Sequence, residues 1–211
     1  TVGPNVRIGK GTRLISHVVI DGWTTIGEEN VIYPFATLGW IPQDLKYKGE
    51  RTELTIGNRN SIREYVSAHR GTAQGGGFTR IGDGNLLMGY VHLGHDVVVG
   101  SSAILANYVG VAGHVIIDDF AIIGGQSGVN QFVRIGAHTY LGGHSAIERD
   151  VPPYCIGVGS RPRASKVSNS VGRRRLGFSA ETICRINEAI KLWTRPDVEK
   201  DRCLLEIESQ Y

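Results

Sequence analysis

"IGDGNLLMGYVHLGHDVVVGSSAIL", residues 81–105, carries an aliphatic residue at every sixth position: Ile81, Leu87, Leu93, Val99 and Leu105. A helix face cannot use that period, because 3.6 residues per turn would smear the series around the axis. A solenoid can, if each hexapeptide forms one short strand and a corner. The series continues through Val111, Ile117, Ile123, Val129, Ile135 and Leu141 to Ile147 without a miss, and an earlier one runs Val2, Ile8, Leu14, Ile20, Ile26, Ile32, Leu38, then Ile56 and Ile62. Three hexapeptides would close one triangular coil of 18 residues. Successive coils would stack as parallel strands about 4.8 Å apart, with the aliphatics inward.

Glycine is used about twice as often as in ordinary proteins, 29 of 211 residues. Small residues beside the aliphatics suit tight corners, where a left-handed backbone or a close approach is needed. Two interruptions, about residues 39–55 and 63–80, break the period with polar, irregular sequence, the second holding three consecutive glycines at 75–77. Both read as loops extruded from a rigid scaffold, the usual place for ligand contacts. The solenoid is expected over residues 1–155 and a basic loop with an α-helical segment over 156–211. There Ser179 is a plausible N-cap, Ile183, Ile186 and Ile190 have helical spacing, and Pro196 opens a second helical segment.

A net charge of +3 spread along the chain does not imply nucleic acid. Its one basic cluster, Arg161, Arg163, Lys166, Arg173, Arg174 and Arg175, suits a phosphorylated ligand or an acidic partner, but charge alone favours a solvated loop. Cys155, Cys184 and Cys203 are odd in number and form no CxxC pair, as expected of reduced thiols without bridges or structural zinc. The absence of a long apolar run and of an opening signal segment leads us to expect a cytoplasmic protein that does not span a membrane.

Several segments resemble one family closely: "QDLKYKGE" (43–50), "HRGTAQGGG" (69–77), "NLLM" (85–88), "HLGHD" (92–96), "AGHVIIDDFAIIGG" (112–125), "NQFVRIGAH" (130–138) and "DVPPY" (150–154). They resemble the left-handed β-helix acyltransferases, and among them the UDP-N-acetylglucosamine O-acyltransferases of lipid A biosynthesis. The hexapeptide pattern specifies only the solenoid, which hosts many activities; the two loop motifs are far more specific. The resemblance covers nearly the whole chain. It implies a mainly β, left-handed parallel β-helix with an α-helical tail, and a homotrimer with clefts between subunits. It also implies transfer of an R-3-hydroxyacyl group from acyl carrier protein to the 3-hydroxyl of UDP-N-acetylglucosamine, without metal or organic cofactor.

Acyl transfer from a thioester to a hydroxyl needs a base near the hydroxyl and donors for the oxyanion. By resemblance His95 is the general base, and Gly113 supplies a backbone N–H to the oxyanion. His92 is a helper or cleft wall; residues three apart in a strand face opposite ways, so joint action with His95 requires a turn at Leu93 and Gly94. His114 follows His95 by 19 residues, one coil plus one, which places it near the same edge. The resemblance further implies that Asp44 and Lys46 contact the acyl group and its surroundings, that Gln131 lies near the acyl chain, and that Gly143 floors the acyl channel, with Tyr140 and His144 nearby. Asn169 and Arg175 match positions near the nucleotide. Asn130, Val171 and Leu176 depart from the family pattern. Alternative readings are N-acylation of a 3-amino UDP-sugar, a zinc enzyme like the γ-class carbonic anhydrases, and a non-catalytic relative.

Overall fold

The computed structural model describes residues 1–159, 168–195 and 198–210. Within them 22 short strands form three parallel sheets of seven, eight and seven strands. Through Ala146–Ile147 consecutive strands fall on the first, second and third face in turn, so each coil contributes one strand to each sheet of a left-handed β-helix; the last strand, Ile156–Gly157, joins the second face. The register is that of the sequence period: on the third face, for example, Leu93 pairs with Val111 and Val111 with Val129. The inward column is closed to solvent from Ile20 to Ile147. Asn30, Asn60 and Asn85 form a buried ladder at one corner, each side-chain oxygen accepting a backbone N–H from the next coil at 2.7–2.9 Å. The polar atoms of that corner are thus paired, as burial demands.

Three expectations need correction. The extruded loops are shorter than 39–55 and 63–80, because strands Thr37–Trp40, Glu53–Ile56, Ser67–His69 and Phe78–Ile81 occupy their ends. Ala68 holds the inward position between Leu38 and Leu93, and its single methyl hid the continuing period. At the other end the coil runs past residue 155, through strand Ile156–Gly157.

The glycines beside the aliphatics mostly serve close approach and not a left-handed backbone. A Cβ on Gly124 would sit 2.4 Å from the Gly143 nitrogen and 2.7 Å from the Gly142 carbonyl carbon of the next coil. Gly124→Ala is therefore expected to destabilise the fold by about 1–3 kcal/mol, the usual cost of overpacking. Equilibrium denaturation should show a lower midpoint with an unchanged slope. The left-handed corner positions mostly carry larger residues, among them Phe35, Tyr65, Tyr90, Tyr108, Asp96 and His114, with φ of 61–65°. Their cost is offset by stacking: the rings of His17, Phe35, Tyr65, Tyr90 and Tyr108 form one ladder, at centroid spacings of 4.6–5.2 Å. That spacing is the distance between parallel strands.

Among the described residues three helices follow, α1 (Ser170–Arg175), α2 (Ala180–Trp193) and α3 (Lys200–Gln210). Ser179 caps α2 by accepting the Thr182 N–H. Pro196, Arg161, Arg163 and Lys166 lie outside the described residues. Arg173 is no solvated charge: it is fully buried, donates to Ser168 and Asn187, and lies over the Tyr154 ring. The three cysteines are free, and burial pushes the Cys155 thiol up to about 11 against the pull of Arg173.

Candidate active site

Along the third face the outward column reads Ser67, His92, Gly110, Gly128 and Ala146. One imidazole followed by two glycines and an alanine leaves a trough. It forms a cleft of about 440 Å³ that also takes in Gln43, His69, His95, Gly113, Asn130 and Gln131. His92 and His95 do share this cleft. His92 stands on the strand, and His95 lies just past Gly94, at the start of the corner.

The corner after Leu93 gives the cleft its chemistry. Asp96 has φ 61°, so a residue that alternation would aim away from its neighbour folds back beside it. His95 Nδ1 lies 2.7 Å from Asp96 Oδ2. A carboxylate can only accept there, so Nδ1 carries a proton, and in the neutral imidazole the lone pair is on Nε2. Asp96 is buried, 6% exposed, and accepts the Thr72 N–H on Oδ1 and the Thr72 hydroxyl on Oδ2, both at 2.7 Å. Its own N–H donates to Thr79 Oγ1 at 2.8 Å.

Because coils repeat at 18 residues, Gly113 is the neighbour of His95, and His114 the neighbour of Asp96. A Cβ on Gly113 would lie 2.6 Å from His95 Cε1; the glycine makes room for the imidazole. The buried Gly113 N–H has no hydrogen-bond partner among the described residues. The His114 ring meets that of His95 edge-on at 5.0 Å and stacks on Phe132 at 4.5 Å. His92 accepts from or donates to Ser67 Oγ at 2.8 Å, and burial, then His69, holds its pKa below the usual histidine value. His69, at the end of strand Ser67–His69, donates Nδ1–H to the Ile41 carbonyl and so ties the first loop to the third face.

His95, Asp96 and His114 also have the composition of a metal cluster. The carboxylate oxygen nearest both histidines, however, already accepts two hydrogen bonds, and His114 Nε2 stands 3.7 Å from it. The arrangement fits a base oriented by a carboxylate better than a zinc site, whose ligands converge on the ion.

The remaining expected residues are dispersed. Asp44 and Lys46 belong to the first loop, where Asp44 Oδ1 accepts the Lys46 N–H at 2.9 Å, and neither lines the cleft. Gly143 lies at the corner joining the second and third faces. Asn169 and Arg175 line a separate, mostly apolar pocket of about 430 Å³ against the second face, beside Ile104, Ile122 and Tyr140. Asn169 caps α1 and donates to the His138 carbonyl at 3.0 Å; Arg175 is exposed. Asp96 and Thr72 are absent from the sequence-based candidates, although "HD" and "HRGT" contain or adjoin them.

The hexapeptide solenoid thus carries a carboxylate-oriented imidazole beside a backbone N–H that has no partner among the described residues, and its repeat places the chain in the class of the hexapeptide transferases. Residues 78–113 match the family described as bacterial transferase hexapeptide (six repeats), and residues 150–211 match domain 2 of UDP N-acetylglucosamine O-acyltransferase. The acyl-[acyl-carrier-protein]–UDP-N-acetylglucosamine O-acyltransferase of Thermodesulfovibrio yellowstonii is 47% identical over 209 residues, covering 99% of this chain and 81% of that protein. The UDP-N-acetylglucosamine O-acyltransferase of Moraxella catarrhalis superposes with a TM-score of 0.95 at 48% identity, over 99% of this chain and 80% of that one. The Acinetobacter baumannii structure gives 0.93 at 46%, over 99% and 83%. The chain belongs to the UDP-N-acetylglucosamine O-acyltransferase family.

Proposed function

We propose that this protein transfers an R-3-hydroxyacyl group from acyl carrier protein to the 3-hydroxyl of UDP-N-acetylglucosamine, the first step of lipid A biosynthesis. The observation that carries this reading is the His95–Asp96 pair beside Gly113, in a chain so similar to enzymes named for that reaction. His95 Nε2 takes the proton of the sugar hydroxyl as its oxygen attacks the thioester carbonyl carbon. The Gly113 N–H donates to the oxyanion that forms. When the intermediate collapses the C–S bond breaks, and His95 returns the proton to the departing thiolate. Asp96 holds the Nδ1–H tautomer throughout, as a carboxylate does for a catalytic histidine. Buried His92, kept neutral, and His114 flank the reacting groups, and the Gly110–Gly128–Ala146 trough with Gln131 takes the acyl chain.

The nucleotide end is completed by a second copy of the chain. Asn169 and Arg175 line a pocket on a different face from His95, which supports a site shared between copies of the chain. The second face presents Leu86, Ile104, Ile122, Tyr140 and Ile156 outward, an apolar surface suited to burial in a homotrimer. Arg175 then reaches the diphosphate with its forked donors. Asp44 and Lys46, next to Gln43 of the cleft, contact the hydroxyacyl group and its surroundings.

A mass-spectrometric assay with a panel of 3-hydroxyacyl carrier proteins and UDP-sugars tests the reading. Product on UDP-N-acetylglucosamine supports it, and turnover only on a 3-amino sugar or on none overturns it. By the resemblance that makes Gly143 the floor of the acyl channel, Gly143→Met is expected to shift chain-length preference several-fold toward shorter acyl groups. An unaltered chain-length profile would remove Gly143 from the channel.

A further inference from the structure

We propose that Thr72 is a positioning residue for acyl transfer, the device by which the loop of residues 70–77 sets the geometry of the catalytic base. The proposal rests on the His95–Asp96 reading above. Three donors reach the Asp96 carboxylate, and two of them come from Thr72: its N–H to Oδ1 and its hydroxyl to Oδ2, each at 2.7 Å. The third is His95 Nδ1–H, on the same Oδ2. Thr72 therefore fixes the plane of the carboxylate, and the carboxylate fixes the imidazole. Hydrogen bonds to a buried charge are the strong ones, because the carboxylate has no water to turn to.

Two further contacts make the loop and the base one unit. Thr72 Oγ1 also accepts the Gly75 N–H at 3.1 Å, closing the single turn Ala73–Gly75. Gly75 in turn packs on the carboxylate so closely that a Cβ there would fall 2.1 Å from Asp96 Cγ. The loop thus holds one residue that grips the carboxylate and one that leaves space for it. The run "RGTAQGGG" acquires a physical meaning: Thr72 is the grip and Gly75 the clearance.

Thr72→Val removes the hydroxyl and keeps the backbone N–H. It is expected to lower kcat roughly 10-fold or more, the scale of a hydrogen bond to a charged group, with KM for UDP-N-acetylglucosamine changed less than about twofold. Thr72→Ser should restore kcat to within about twofold. In an Asp96→Asn background the same Thr72→Val change should cost less than about threefold, since residues acting as one unit are not additive. Gly75→Ala, which leaves Thr72 intact, should reproduce the kcat loss by displacing the carboxylate. Proton NMR supplies a readout independent of turnover: the downfield His95 Nδ1–H resonance should persist in Thr72→Ser and weaken or move upfield in Thr72→Val. An unchanged resonance with kcat within twofold of wild type, or a loss of equal size in the Asp96→Asn background, overturns the role of Thr72. A wild-type protein that shows the resonance and its response to Thr72→Val but transfers no acyl group counts against the parent reading alone.

Discussion

His95→Ala is expected to lower kcat for acyl transfer by roughly 10²–10⁴-fold, the usual yield of a positioned general base. The effect should fall on kcat and kcat/KM together, because proton removal from the hydroxyl is an interaction made only in the transition state. The fold should survive. His95 fills a corner at the cleft and leaves the aliphatic column untouched, and without it Asp96 still accepts both Thr72 donors. The stability cost is that of one hydrogen bond to a charged group, about 1.5–3 kcal/mol. Steady-state kinetics with the purified protein, checked by thermal melting, measures both quantities. Turnover within twofold of wild type would remove His95 from the mechanism.

The second large effect is expected at Gly113, where one added methyl should lower kcat about 100-fold, the scale of a misplacement near 1 Å. A Cβ there would lie 2.6, 2.8 and 3.0 Å from His95 Cε1, Nε2 and Nδ1. The backbone of Gly113 is not left-handed, so alanine suits the chain; only the imidazole must move. It cannot move freely, because Nδ1 is tied to Asp96 at 2.7 Å and the carboxylate is tied to Thr72. Gly113→Ala leaves the backbone N–H in place, so the loss reports the base and not the oxyanion donor. Activity within about threefold of wild type would mean that the ring relocates without penalty.

The six-residue series made the frame readable, since an inward aliphatic at each strand is the one requirement every coil shares. The series is hidden where a small side chain meets it, as at Ala68, so the second loop looks longer in sequence than it is. Helix α1, six residues including Gly172, is too short to show a period. The site was partly readable: the resemblance named His95, His92, Gly113 and Gln131, and all four line one cleft. Asp96 was missed because adjacent residues in a strand point apart, and only a positive φ at this corner reverses that. The corner rings escaped for a related reason. Tyrosine and phenylalanine rarely adopt that backbone, and the stacking that compensates them joins residues whose spacing the loops had scrambled, such as Phe35, Tyr65 and Tyr90.

Asp96 and His114 occupy the same left-handed corner position that elsewhere in the solenoid carries stacked aromatic rings. A single backbone socket, repeated coil after coil, thus serves two ends: filled with a ring, His114 on Phe132 included, it holds neighbouring coils together, and filled with the Asp96 carboxylate it orients an imidazole at the edge of a cleft. Divergence within such a scaffold needs no new loop or rearranged strand to gain or lose chemistry. It needs only the exchange of one corner side chain for another, on a main chain whose course the repeat has already determined.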